Sequence, residues 1–211
     1  DVVVRMPTGA GTAAGPFHSQ SNEAWFFHTP GLKIVYPSTP YDAKGLMNAA
    51  IEDPNPVMVF EHKYLYRSLK EEIPNDYYTV EIGKARTVKE GSELTIITYG
   101  LGVHWATEAT QELGISAEII DLRTLLPLDT EAIYAAVRKT GKVLVLHEDC
   151  MTGGIGGELV ALINEQCFTD LDAPVKRVAS LDTPVPFAVP LENQFLPKER
   201  LMAALEELRN Y

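Results

Sequence analysis

Apolar runs and helical stripes alternate along most of this chain. Val2-Val3-Val4 is a short apolar run that predicts a strand, and a glycine-rich loop follows from Gly9 to Pro16. Leu32–Tyr36 predicts a second strand. Thr39-Pro40-Tyr41-Asp42 then offers a capping hydroxyl, a proline at the first helical position and an acid in the first turn. Ala43, Leu46, Met47, Ala50 and Ile51 continue it as one helical stripe. Val57–Phe60 reads as a buried strand.

Beyond residue 90 the alternation is more regular. Strands are expected at Leu94–Tyr99, Ala117–Ile120, Val143–Leu146 and Val175–Val178. Between them lie helical stripes on Val103, Ala106, Thr110 and Leu113, closed by Gly114, then over Thr130–Arg138, then on Leu159, Leu162, Ile163 and Cys167. Leu201, Leu205 and Leu208 mark a last helix. Near-continuous apolar strands alternating with helices predict an α/β fold with a mostly parallel sheet covered on both faces. Residues 62–92 break the pattern, with 11 charged residues among 31. They read as a surface connection, with a short hairpin expected around Tyr77–Ile82.

Composition narrows the class. The chain has 211 residues, 45% of them hydrophobic and 22% charged, which is ordinary globular composition. The net charge of −11 argues against nucleic acid as a partner and suits a basic protein surface. Cys150 and Cys167 make no disulfide framework or Cys-x-x-Cys site, so a reducing compartment is expected. No apolar run reaches the ~18 residues needed to span a membrane.

Candidate chemistry lies in two glycine-rich loops and one histidine. Gly9-Ala10-Gly11-Thr12-Ala13-Ala14 matches a dinucleotide fingerprint by letter, but Gly15-Pro16 follows at once and should stop the helix that such a site requires. A loop that lets backbone approach something closely is the better reading. Thr152-Gly153-Gly154-Ile155-Gly156-Gly157-Glu158 lies between a strand and a helix. It suits either anion capture or close packing of a helix start on the sheet. None of the five histidines has zinc-site spacing. His18 stands apart, because it follows the first loop and precedes Ser19-Gln20-Ser21. An imidazole with small polar neighbours at a loop end suits proton transfer near neutral pH.

The run Gly15-Pro16-Phe17-His18-Ser19-Gln20-Ser21 resembles the β subunit of thiamine-diphosphate-dependent 2-oxo acid dehydrogenases. The resemblance continues through Ile51-Glu52-Asp53-Pro54-Asn55-Pro56, Asp121-Leu122-Arg123-Thr124-Leu125, His147-Glu148, Asp182-Thr183-Pro184-Val185-Pro186 and Leu191-Glu192. It implies the latter part of a transketolase-like pyrimidine-binding domain over 1–85, then a complete transketolase C-terminal-like domain over 86–211. The implied reaction is oxidative decarboxylation of a 2-oxo acid with acyl transfer to a lipoyl arm. Phe60-Glu61-His62-Lys63 and Leu65-Tyr66-Arg67 look nearer the branched-chain type. Pyruvate or acetoin dehydrogenase β subunits are the alternative, and so is a non-catalytic assembly module.

By the same resemblance His18 is the active-site histidine, orienting or protonating the intermediate, with Ser19 and Gln20 fixing its ring. Val2, Val3, Ala50, Asp53 and Asn55 match a potassium site built largely from carbonyls, although Val3 stands where a hydroxyl is usual. Helix capping by Asp53 and Asn55 is the other reading of that end. Thiamine diphosphate and magnesium are expected to be bound mainly outside this chain, which starts inside a strand and is expected to be inactive as an isolated piece. The implied partners are an α subunit or α half, a second β subunit, and the subunit-binding and lipoyl domains of an acyltransferase core. The implied location is the cytoplasm, or the mitochondrial matrix in a eukaryote.

Overall fold

The computed structural model describes residues 2–211 and contains two sheets. The first is ordered β1-β3-β2-β7, from β1 (Val3–Thr8), β2 (Lys33–Val35), β3 (Val57–His62) and β7 (Thr124–Leu126). β3 runs parallel to β1 and β2, and β7 is antiparallel to β2. The second is ordered β4-β6-β5-β8-β9, from β4 (Arg86–Lys89), β5 (Leu94–Thr98), β6 (Ala117–Asp121), β8 (Val143–Cys150) and β9 (Lys176–Ser180). It is parallel except for β4. The α/β class and the parallel character follow the sequence expectation.

Helices α1 (Gly15–His18), α2 (Glu23–Phe27), α3 (Pro40–Glu52) and α4 (Leu65–Ser68) belong to the first half. The second half carries α5 (Leu101–Glu112), α6 (Thr130–Thr140), α7 (Gly156–Cys167), α8 (Val189–Phe195) and α9 (Lys198–Arg209). The cap of α3 forms as read: the Asp42 N–H donates to Thr39 Oγ1 at 3.1 Å.

Strand alternation places the core. In β3, Val57 and Val59 pack with Leu46 and Ala50 of α3. Met58 and Phe60 point the other way, into a cluster with Ile97, Val143 and Val145 of the second sheet and Leu159 and Ile163 of α7. Leu94, Ile96, Leu144 and Leu146 face a third cluster, with Ala106 of α5 and Leu201, Leu205 and Leu208 of α9. Strands buried on both faces cannot alternate polar and apolar residues, which is why they read as continuous runs.

Two expectations need correction and a third needs refinement. No hairpin forms at Tyr77–Ile82. That segment is a strap across α3: Val80 N–H donates to the Gly45 carbonyl at 3.0 Å, and the Tyr78 ring stacks on Tyr41 at 4.5 Å. Nor is 62–92 wholly a surface connection, since His62 and Val80 are buried and β4 lies within it. Finally, Pro16 admits one helical turn, α1, although the longer helix that a dinucleotide site requires does not follow the Gly9–Ala14 loop. The proline lies in the first turn of α1, where a missing N–H costs nothing.

Candidate active site

β1 ends at Thr8, and the chain enters the glycine-rich loop expected to approach something closely. It does so at Gly9, whose φ is +94° and where a Cβ would lie 2.2 Å from the His62 imidazole. At Gly15 a Cβ would meet the Phe187 ring at 2.3 Å. Beyond it, the single turn of α1 ends on His18, whose ring is exposed. Exposed Phe17 sits beside it in sequence, with its ring centroid 6.2 Å from that of exposed Phe187.

The neighbours of His18 lie as follows. Ser19 is fully buried, its N–H donates to the Gly15 carbonyl at 3.1 Å, and its hydroxyl has no partner. Gln20 is exposed, and its backbone carbonyl accepts from Thr8 Oγ1 at 2.6 Å. Among the described residues neither side chain hydrogen-bonds to the His18 ring. Ser21 turns inward, and its hydroxyl donates to Glu148 Oε1 at 3.3 Å.

Glu148 is the group that sequence reasoning missed. It lies buried on β8, with Oε2 2.6 Å from His62 Nε2 and Oε1 accepting from Ala10 N–H at 2.7 Å. Burial pushes its carboxyl up, but the His62 imidazole, the Ala10 amide and the Ser21 hydroxyl outweigh this and hold it below the usual carboxylate range. Nearby, buried Glu23 accepts from the Tyr99 hydroxyl at 2.8 Å. Burial first, and then the charge of Asp149, raise its carboxyl to about 8. Asp149 itself is raised to about 6, chiefly by burial. The sequence signals for this group were the His147-Glu148 match and a His-Glu-Asp run ending an otherwise apolar strand. A cavity of about 530 Å³ opens beside it, lined by Gln20, Ser21, Trp25, Glu148, Asp149 and Asp182, with His18 outside its lining.

The second glycine loop packs closely on the sheet. At Gly156 a Cβ would lie 2.7 Å from His147 Nε2, and at Gly154 2.5 Å from His147 Cε1. Burial lowers the His147 imidazole to about 4.

The five residues matched to a potassium site gather around the α3–β3 junction. The Val2 carbonyl already accepts from Val57 N–H at 2.9 Å, and Val3 pairs with Val57 in the sheet. Ala50 is buried in the last turn of α3. The Asp53 carboxylate is held by the Lys33 ammonium and by Asn55, whose N–H and Nδ2 both donate at 2.9 Å. Hydrogen bonding to Lys33 is the main reason that this carboxyl sits low. Among the described residues, no cluster of three His, Cys, Asp or Glu side chains could hold a metal ion. Nor, among them, is any helix long and apolar enough to cross a membrane.

Comparison with known proteins decides the family. Residues 83–201 match the transketolase C-terminal domain, and residues 1–68 match the transketolase pyrimidine-binding domain. The chain belongs to the transketolase C-terminal domain family. Within that family it is 51% identical to the 2-oxoisovalerate dehydrogenase subunit beta of Bacillus subtilis, over 100% of this chain and 66% of that protein. It is 46% identical to the pyruvate dehydrogenase E1 component subunit beta of the same organism, over 94% of this chain and 62% of that protein. A solved structure titled "Split gene transketolase, inactive beta4 tetramer" superposes with a TM-score of 0.78 at 25% identity, covering 99% of this chain and 66% of that one. The chain thus spans less than two thirds of the length of the curated relatives named here. The resemblance read from the His18 run points to the same relatives.

Proposed function

We propose that this chain is the β-subunit part of a thiamine-diphosphate-dependent 2-oxo acid dehydrogenase, acting on branched-chain 2-oxo acids. The observation that carries this reading is an exposed imidazole, His18, on a fastened loop in a chain 51% identical to a 2-oxoisovalerate dehydrogenase β subunit. The pyruvate alternative draws on the 46% identity to a pyruvate dehydrogenase relative. Residues 1–85 would be the partial pyrimidine-binding domain and 86–211 the C-terminal domain.

The donor set present does not fit the diphosphate and magnesium, since the described residues hold no metal-binding carboxylate or histidine cluster. That binding falls to a partner α subunit or α half. Thiamine diphosphate, where the assembled enzyme binds it, supplies the electron sink that no side chain offers. His18 holds or delivers a proton from its imidazole, and its exposure leaves it open to a substrate carried on a partner. The exposed Phe17 and Phe187 rings beside it suit an apolar cover from an α subunit or a lipoyl domain. At the α3–β3 junction a monovalent cation such as potassium would take backbone carbonyls, including that of Ala50, because the Asp53 carboxylate is engaged by Lys33. A second β subunit, the subunit-binding domain of an acyltransferase core, and a cytoplasmic or matrix location complete the reading.

The test is substrate choice in the assembled enzyme with a lipoyl-domain acceptor. Preference for 2-oxoisovalerate over pyruvate in kcat/KM is expected. A preference for pyruvate would replace the branched-chain assignment with the alternative.

A further inference from the structure

The loop that carries His18 has little structure of its own. Between Thr8 and α2 it contains one helical turn, and four of its residues have left-handed φ: Gly9 (+94°), Gly11 (+88°), Ala13 (+54°) and Gly15 (+61°). Ala13 carries a Cβ in a conformation that disfavours one. Such a loop, with one internal turn, depends on contacts from outside to keep one shape.

Two buried carboxylates grip it, both from far along the chain. Glu148 on β8 takes the Ala10 N–H at 2.7 Å and the Ser21 hydroxyl at 3.3 Å, so it fastens both ends. Glu192 on α8 fastens the middle. Its Oε1 accepts from Gly11 N–H at 2.9 Å, and Oε2 and Oε1 accept from Ala13 N–H at 3.0 and 3.3 Å. Alternating left-handed positions can turn nearby N–H groups toward one anion, and here the Gly11 and Ala13 N–H groups meet a side chain of the same protein. Glu192 is only 2% exposed, and a buried carboxylate is costly unless hydrogen-bonded. Among the described residues its side-chain oxygens bond to the loop and to nothing else.

We propose that Glu192 and Glu148 are positioning residues that hold the Gly9–Ser21 loop, and through it the His18 imidazole, in its working pose. The inference deepens the reading of His18 given above and rests on it for its catalytic arm only. Charge-assisted bonds to fixed backbone donors are stronger than neutral ones and act without touching substrate. A misplacement of ~1 Å at a proton-transferring group costs on the order of 100-fold in rate.

The experiment has two arms. In the 211-residue chain, Glu192→Ala should speed amide hydrogen exchange at residues 10–14 by about tenfold or more, while the amides of β5 and α5 keep their protection. Glu192→Gln keeps one acceptor oxygen, so it should expose Ala13 while leaving Gly11 protected, which preserves the test should the alanine variant fold poorly. In the assembled enzyme, Glu192→Ala should lower kcat for acyl transfer to a lipoyl domain about 100-fold, with KM for the 2-oxo acid within about twofold. Glu192→Gln should restore part of that loss.

Unchanged exchange at residues 10–14 in both variants would overturn the clamp, whatever His18 does. Faster exchange with unchanged kcat, in an enzyme that His18→Ala disables, would overturn its positioning role. An enzyme indifferent to His18→Ala would instead remove the functional reading and leave the exchange result standing.

Discussion

Glu23 begins α2 in full burial, with one carboxylate oxygen on the Tyr99 hydroxyl and the other without a partner. Its folded value of about 8 lies above the ordinary 4.5, so between these the native state keeps a proton that the unfolded chain releases. Its contribution to stability is therefore complete below 4.5 and is lost as pH rises through about 8. Glu23→Gln should raise the urea midpoint relative to the parent at pH 8.5, with the gap closing by pH 5. His147 has the opposite sign. Its folded value of about 4 lies below the ordinary 6.5, so its contribution is present above 6.5 and lost as pH falls toward 4. At ~1.4 kcal/mol per tenfold, this is worth about 3 kcal/mol. Urea unfolding of His147→Gln should show a flatter stability curve between pH 4 and 6.5. His18 was legible in the sequence, and Glu148 and Glu192 stood within matched runs, but nothing there marked them as its anchors. A carboxylate's value as an anchor depends on which amides the fold brings to it, 138 and 181 residues away.

At the scale of elements, the long strands and helices were legible because each carries a complete apolar face. Several of the short ones were not, although the three-residue β2 was. β4 and β7 have four and three residues and join their sheets as antiparallel neighbours of β6 and β2, too brief to show a period. The strap at Tyr78–Val80 lies in a stretch whose turn residues suggested a hairpin, yet its apolar residues serve α3 instead of a partner strand. The second glycine loop left two readings open, and its geometry favours packing. Gly156→Ala drives a Cβ to 2.7 Å from His147 Nε2 and should cost about 1–3 kcal/mol in chemical denaturation. Gly157→Ala, whose nearest neighbour would be Arg177 at 3.8 Å, should cost nothing measurable.

Across the whole molecule, the two sheets share a core. Ile34, Met58 and Phe60 of the first pack with Ile97, Val143 and Val145 of the second, and β7 reaches back from the later half to complete the first sheet. Calorimetry of the chain should give a single cooperative transition, and two separated transitions would contradict the shared core. The shared core also explains how residues of the C-terminal half can hold a loop of the first half. In the proposed reading, all of this serves to bring His18 to acyl transfer. A single-turnover measurement of lipoyl-domain acylation in the assembled enzyme carrying His18→Ala tests this role. Acyl transfer should fall by about 100-fold or more, as expected for loss of a proton-transferring group. Transfer at the parent rate would contradict it.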